Sequence, residues 1–313
     1  MAFTPSKETY TGKVYSVSIG TAPHEVVFGG ENTLPFHTFE GSSPNRPLIA
    51  CEIQDVPPYD WPGHVQKPFQ DVSHDPAAWA KFCQDTLGAG AIALRLIGTH
   101  PDRENRSPED AAKTVQEVLS SITIPCIILG SNHAEKDSTV LIAAAEASKD
   151  RNCIIGKAQE ANYKTIAAAA MANNHKLIAM SELDINLSKQ LNILLTQMGF
   201  DKERIITDPM SSALGYGLEY TYSVMERIRL AALTQNDTTM QQPMLADVGM
   251  YVWKVKEAQA PESDVPNWGS LEERSVAWEA MTAIAFLLSG AELLIMRHPR
   301  AIEAVKKFIE ELI

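Results

Sequence analysis

The chain has 313 residues, 45% of them hydrophobic and 21% charged, a balance that supports a sizeable buried core and argues against a disordered chain. Its 27 lysines and arginines against 39 aspartates and glutamates give a formal charge of -12, which disfavours nucleic acid and anionic membrane as partners. The opening MAFTPSKETYTGK lacks the basic-then-apolar run of a secretory leader, and no apolar run of about 18 residues could span a bilayer, so a cytoplasmic chain is expected.

Residues 1–45 read as an N-terminal extension. Within it, Lys13 to Ile19 and Glu25 to Phe28, followed by Gly29 and Gly30, predict a short β-hairpin that either caps the bottom of the following domain or meets a partner. From Arg46 a repeat begins. RPLIACEIQD gives a continuous apolar strand, Leu48 to Ile53, of the kind buried on both faces. After a long loop, Asp75 as N-cap, Pro76 at the first helical position and Trp79, Phe82, Cys83 and Leu87 on one face predict a helix stopped by Gly88.

The second unit is strand Ala91 to Ile97 and a helix from Ser107–Pro108, whose start is marked by Ser107 with Asp110 three residues on. The third is strand Pro125 to Gly130 and helix Lys136 to Ser148; the fourth, strand Asn152 to Lys157 and helix Asn162 to Met171. Strand Lys176 to Met180 with helix Ile185 to Met198 and strand Arg204 to Thr207 with helix Tyr220 to Ala232 continue the alternation. Strand Pro243 to Ala246 with helix Leu271 to Leu288, then strand Glu292 to Met296 with helix Arg300 to Leu312, close the set. Eight units over about 265 residues match a TIM (β/α)8 barrel, here 46–313, whereas open doubly wound sheets commonly have five or six strands.

In such barrels chemistry gathers at the C-terminal ends of the strands. The residues there are Gln54 and Asp55, Thr99 and His100, Ser131 and Asn132, Gln159 and Glu160, and Ser181 to Asn186. They continue with Asp208, Pro209 and Met210, Asp247 to Gly249, and Arg297 with His298. This rim is polar, yet it holds no evident catalytic set. The eight histidines are scattered and lack H-x-H and H-E-x-x-H spacing, so no protein-ligated metal is expected. Lys157 stands where a Schiff-base lysine could, but nothing beside it would lower its pKa, and a solvated or salt-bridged lysine is the expectation. The four cysteines, Cys51, Cys83, Cys126 and Cys153, are widely spaced and read as buried thiols rather than cluster ligands.

Two rim connections are unusually long. VPPYDWPGHVQKPFQDVSHDP carries Tyr59, Trp61 and Phe69, and MYVWKVKEAQAPESDVPNWGS carries Tyr251, Trp253 and Trp268, aromatics that either meet a flat or apolar ligand or pack on the rim. In DPMSSALGYGLEY, Gly215 and Gly217 allow close backbone approach or a tight turn. In SELDIN, Asp184 and Asn186 could hydrogen-bond an amide-bearing or pterin-like ligand, although Asp184 would serve equally as a helix cap.

LPFHTFEG, NRP, the run Glu52-Ile53-Gln54-Asp55, QEANYK, LDIN with KQLNIL, LGYGLEY with YSVMERIRL, and KEAQAP with Trp268-Gly269 and MRHP occur in this order. Together they resemble the small subunit of the corrinoid iron-sulfur protein, the acetyl-CoA decarbonylase/synthase delta subunit family, over essentially the whole chain from Gly29. The resemblance implies a heterodimer with a large subunit that bears the [4Fe-4S] cluster and holds the corrinoid between the two chains. It further implies methyl transfer on cobalt, from a methyltetrahydrofolate-dependent methyltransferase to acetyl-CoA synthase in the reductive acetyl-CoA pathway. The D-x-H-x-x-G signature of domains that supply a cobalt-ligating histidine is missing, as this family's use of the cofactor implies.

On that reading the rim covers the corrinoid. Its candidate contacts are Gln54, Asp55, Ser131, Asn132, Asp184, Asn186, Asp208, Met210, Gly215, Gly217, Arg297 and His298, with no catalytic residue and no protein-bound metal. Two other readings are a pterin-binding methyltransferase barrel acting on methyltetrahydrofolate, which also places Asp and Asn at strand ends, and a structural barrel that only docks partner enzymes.

Overall fold

Runs of Ile, Leu, Val and Ala too short for helices form ten strands in the computed structural model, which describes residues 6–312. The first five residues of the expected extension and Ile313 lie outside the described residues. β1 (Ser16–Ile19) and β2 (Val26–Gly29) pair antiparallel as a hairpin. β3 (Leu48–Gln54), β4 (Ala91–Arg95), β5 (Cys126–Leu129), β6 (Ile154–Ala158), β7 (Lys176–Met180), β8 (Ile205–Asp208), β9 (Met244–Asp247) and β10 (Ala291–Met296) form a closed parallel barrel. β10 pairs with both β9 and β3, which completes the ring of a TIM barrel.

The surrounding helices are α1 (Pro76–Asp85), α2 (Pro108–Ser121), α3 (Ala134–Ala147), α4 (Tyr163–Ala172), α5 (Ile185–Gln197), α6 (Leu218–Thr234), α7 (Leu271–Ser289) and α8 (Pro299–Leu312). Their starts follow local chemistry. Asp75 accepts from the amides of Ala77 and Ala78, and Ser107 and Asp110 close a full capping box, so α1 and α2 begin where the sequence places them.

Period-two alternation splits each strand between two apolar layers. Ile49, Cys51 and Ile53, Ile92 and Leu94, and Leu294 and Met296 join the layer shared with the helices. Leu48 and Ala50, Ala91 and Ala93, Ile127 and Leu129, and Leu293 and Ile295 form the barrel interior. Val17, Ile19 and Phe28 of the hairpin belong to this inner cluster, so the hairpin plugs the N-terminal end of the barrel, one of the two roles expected for it.

Many element ends differ from the sequence expectation by one to three residues, and three of them have a local reason. β4 stops at Arg95 rather than Ile97, because the Gly98 amide donates to the Asp55 carboxylate and the chain turns through Ile97–Thr99. The fourth barrel strand starts at Ile154 rather than Asn152, whose left-handed backbone turns its amide to the carbonyls of Ser18 and Gly20 in the hairpin. α1 ends at Asp85, before Gly88, with Thr86 as its C-cap. All four cysteines are buried, and Cys51 meets Cys83 at 3.4 Å between β3 and α1.

Candidate active face at the C-terminal ends of the strands

Followed two residues at a time, the inward positions change character toward the C-terminal end. Leu48 and Ala50 lead to Glu52 on β3, Ala91 and Ala93 to Arg95 on β4, Ile206 to Asp208 on β8, and Leu245 to Asp247 on β9. With Lys157 of β6 and Arg297 just past β10, these form a buried layer of three cations and three carboxylates whose Arg95 and Arg297 touch the mouth of the barrel. Arg95 Nε donates to Glu52 at 3.0 Å and its Nη2 to Asp247 at 2.9 Å. Lys157 Nζ bridges Asp208 at 2.8 Å and Asp247 at 2.7 Å, and Arg297 Nη2 reaches Glu52 at 2.9 Å.

Lys157, Arg95, Asp247 and Glu52 are held in their charged forms by neighbours in this layer. Burial alone would push Lys157 down, but Asp208 and Asp247 outweigh it and raise its pKa. Arg95 is likewise raised by Asp247 and Glu52 against the pull of burial. Burial would lift the Asp247 and Glu52 carboxyls, but Arg95 and Lys157 hold Asp247 low, and Arg297 and Arg95 hold Glu52 low. Lys157 is therefore the salt-bridged lysine of the sequence reading, out of solvent and wholly protonated, which leaves no amine free for imine chemistry.

Above this floor lies a cleft of about 320 Å³. Gln54, Arg95, Ser131, Asn132 and Arg297 line it together with Asp60, His100, Arg103, Met250 and Lys254. Asp137 fixes the Ser131–Asn132 corner by accepting from both backbone amides and from the Ser131 hydroxyl. Gly130 permits this fit, since a Cβ there would lie 2.4 Å from the Asp137 carboxylate. Asn132, Leu183 and Met210 all adopt left-handed backbone just past strands β5, β7 and β8, an uncommon conformation for such side chains and one that gathers at functional faces.

The other expected contacts are spread around the rim. Asp55 is buried behind the cleft, where its carboxylate accepts from the Gly98 amide at 2.8 Å, and burial pushes its pKa up to about 6. Asp208 belongs to the ionic floor, and its carboxylate also accepts from the Met210 amide at 2.9 Å. His298 is buried beside Trp253, and burial followed by Arg300 lowers its pKa to about 4. Glu279 of α7 accepts from the backbone amides of both Arg297 and His298, fixing the chain after β10. Asp184 is exposed and caps α5 by accepting from the amides of Asn186 and Leu187, while Asn186 is exposed on the first turn. Gly215 and Gly217 have φ of 76° and 88° in the turn before α6, so both glycines answer a backbone need.

The aromatic loops divide. Trp61, Phe69 and Trp253 pack inward, Trp61 and Phe69 against Trp79, and Arg297 stacks on Trp61 at 4.4 Å. Tyr59 and Trp268 remain exposed, joined on the same rim by Tyr216 and Tyr220. Glu52 and Arg95 are absent from the sequence-predicted contacts because they lie within strands rather than just beyond them. Counting inward positions by twos along LIACEIQ and AIALR would have exposed the switch from apolar to charged.

The architecture is that of a closed (β/α)8 barrel with an ion-paired floor and a polar cleft at its C-terminal mouth. Solved barrels of the same shape include a Xanthomonas albilineans dihydropteroate synthase with 4-aminobenzoic acid, at a TM-score of 0.60 and 13% identity over 95% of this chain and 98% of that one. A Thermus thermophilus dihydropteroate synthase in complex with 6HMPPP matches at a TM-score of 0.53 and 11% identity, over 94% of this chain and 98% of that one.

Sequence narrows the class. Residues 16–306 match the family described as CO dehydrogenase/acetyl-CoA synthase delta subunit, and the chain belongs to it. The acetyl-CoA decarbonylase/synthase complex subunit delta of Methanothermobacter thermautotrophicus is 34% identical over 310 residues, covering 98% of this chain and 78% of the relative. The subunit of the same name from Methanocaldococcus jannaschii is 34% identical over 310 residues, covering 97% and 75%.

Proposed function

We propose that this chain is the small subunit of a heterodimeric corrinoid iron-sulfur protein. The large subunit carries the [4Fe-4S] cluster and holds the corrinoid, and the C-terminal rim of this barrel covers the ring. When bound, the corrinoid supplies the cobalt centre that carries a methyl group between a methyltetrahydrofolate:corrinoid methyltransferase and acetyl-CoA synthase. The observation that carries the reading is the ionic floor. Its six charged groups neutralise one another in contact distance, so the barrel mouth offers a polar wall rather than a free nucleophile or base. The near full-length likeness to relatives named as subunits of a complex supports a role alongside other chains.

The residues present fit one face of such a ring. At about 320 Å³ the cleft stands near the lower end of small-molecule sites, roughly 300 to 1,000 Å³, too small to enclose a corrin yet open to its edge. Gln54 Oε1 is buried without a partner, and Ser131 and Asn132 stand beside it on the cleft wall, a set suited to peripheral amides. On this reading Gln54, Ser131, Asn132 and Arg297 contact the cofactor. Asp55, Asp208, Met210 and His298 position the wall, and Asp184, Asn186, Gly215 and Gly217 shape the outer rim.

The reading is tested by reconstituting the chain alone, and with its large subunit, against cobalamin and recording visible spectra after gel filtration. Little corrinoid is expected on the lone chain and a stoichiometric amount on the pair; tight stoichiometric corrinoid on the lone chain would overturn the shared site. Many-turnover methyl transfer from methyltetrahydrofolate to free Co(I) cobalamin by the lone chain would instead assign it to the pterin-binding methyltransferases.

A further inference from the structure

The cations of the cleft stand in front of their acids. Arg95 and Arg297 reach the cleft, whereas Glu52 and Asp247, which pair with them, are fully buried and do not line it. Two guanidinium nitrogens, Arg95 Nη1 and Arg297 Nε, are buried without an acceptor. Lys254 faces the same space, and among the described residues no carboxylate lies within 4.0 Å of its ammonium group. Its side chain is exposed at the cleft mouth, and partial desolvation by the cleft wall, then the nearness of Arg297 and Arg95, lowers its pKa. The acids that do line the cleft are engaged or turned away: Asp60 pairs with Arg103 at 3.0 Å, and Asp102 is almost wholly exposed.

Three cations, Arg95, Arg297 and Lys254, therefore line one open space, with Gln54 beside them. A buried donor without an acceptor is costly, and guanidinium and ammonium groups prefer oxygen anions. We propose that the cleft binds a small carboxylate- or phosphate-bearing molecule, its anionic oxygens seated on Arg95, Arg297 and Lys254 and a donor group of the same molecule reaching Gln54. This goes beyond the covering of a corrinoid, because the site is complete within this chain and needs no ring to form.

The test is calorimetric titration of the full chain with inorganic phosphate and, separately, with glutarate, at fixed ionic strength. Lys254→Met and Lys307→Met are titrated in parallel; Lys254 and Lys307 are both exposed, so neither change threatens the fold, and Lys307 lies on α8. Saturable binding of at least one anion is expected, weakened roughly tenfold by Lys254→Met, as for loss of one charge-assisted hydrogen bond, and unchanged by Lys307→Met. Preference for phosphate or for glutarate then names the ligand class. Absence of saturable binding, or equal effects of the two substitutions, overturns the proposal. Corrinoid retention by the reconstituted pair is read separately, so failure here leaves that reading standing.

Discussion

Asp55 has the kind of environment that turns one side chain into a pH-dependent stability term. It is buried, with one carboxylate oxygen on the Gly98 amide and the other unpartnered, and the nearest cation, Arg106, is 3.7 Å away and half exposed. Burial wins and raises its pKa to about 6, from an ordinary value of 3.8. Between those two pH values the unfolded chain releases the proton while the folded chain keeps it, so stability falls as pH rises and levels off above about 6. Asp55→Asn keeps the oxygen that accepts from Gly98 and abolishes the titration. Urea unfolding midpoints from pH 4 to 7 should show wild type losing on the order of 3 kcal/mol relative to the variant, mostly between pH 4 and 6. Parallel curves would mean that Asp55 titrates as an ordinary carboxylate.

At the scale of elements, the hairpin completes the barrel interior. Phe28 is fully buried among Val17, Ile19 and the inward residues of the barrel strands, while its neighbour Val27 is 39% exposed. Phe28→Ala should cost about 3 to 5 kcal/mol through the cavity it leaves, and Val27→Ala less than about 0.5 kcal/mol. Chemical denaturation of both variants checks this, and a small cost at Phe28 would make the hairpin an ornament of the surface. The hairpin and all eight strand-helix units were legible in the sequence, because apolar runs alternate with capped amphipathic stretches, two of whose starts are marked by Asp75 and Ser107. What local pattern could not supply was convergence. Lys157 and Asp247 are 90 positions apart in the numbering and meet only through barrel closure, and whether Trp61 packs inward or faces a ligand depends on Trp79 and Arg297. Asp184 carried two readings because a capping carboxylate and a ligand-binding one look alike in sequence.

At the scale of the whole molecule, the two ends of the barrel make opposite claims on a partner chain. The N-terminal end is filled by its own hairpin, with Val27 as an isolated exposed side chain. The C-terminal rim bears Tyr59, Tyr216, Tyr220 and Trp268, respectively 71%, 75%, 65% and 44% exposed, on its connecting segments and on the first turn of α6. Aromatic side chains of this kind are the usual anchors of protein interfaces, and each left in water forgoes the burial that a partner would provide. On the proposed function, a large subunit that brings a cofactor to the cleft approaches by this rim. Tyr216→Ser and Trp268→Ser should therefore each weaken association with the large subunit by about tenfold or more, with thermal unfolding of the lone chain nearly unchanged. Val27→Ser, at the opposite end, should leave association intact. Equilibrium sedimentation of the mixed subunits reads all three. If Val27→Ser disrupts the pair while the rim variants do not, the partner docks on the hairpin, and the rim with its ionic floor faces a different molecule.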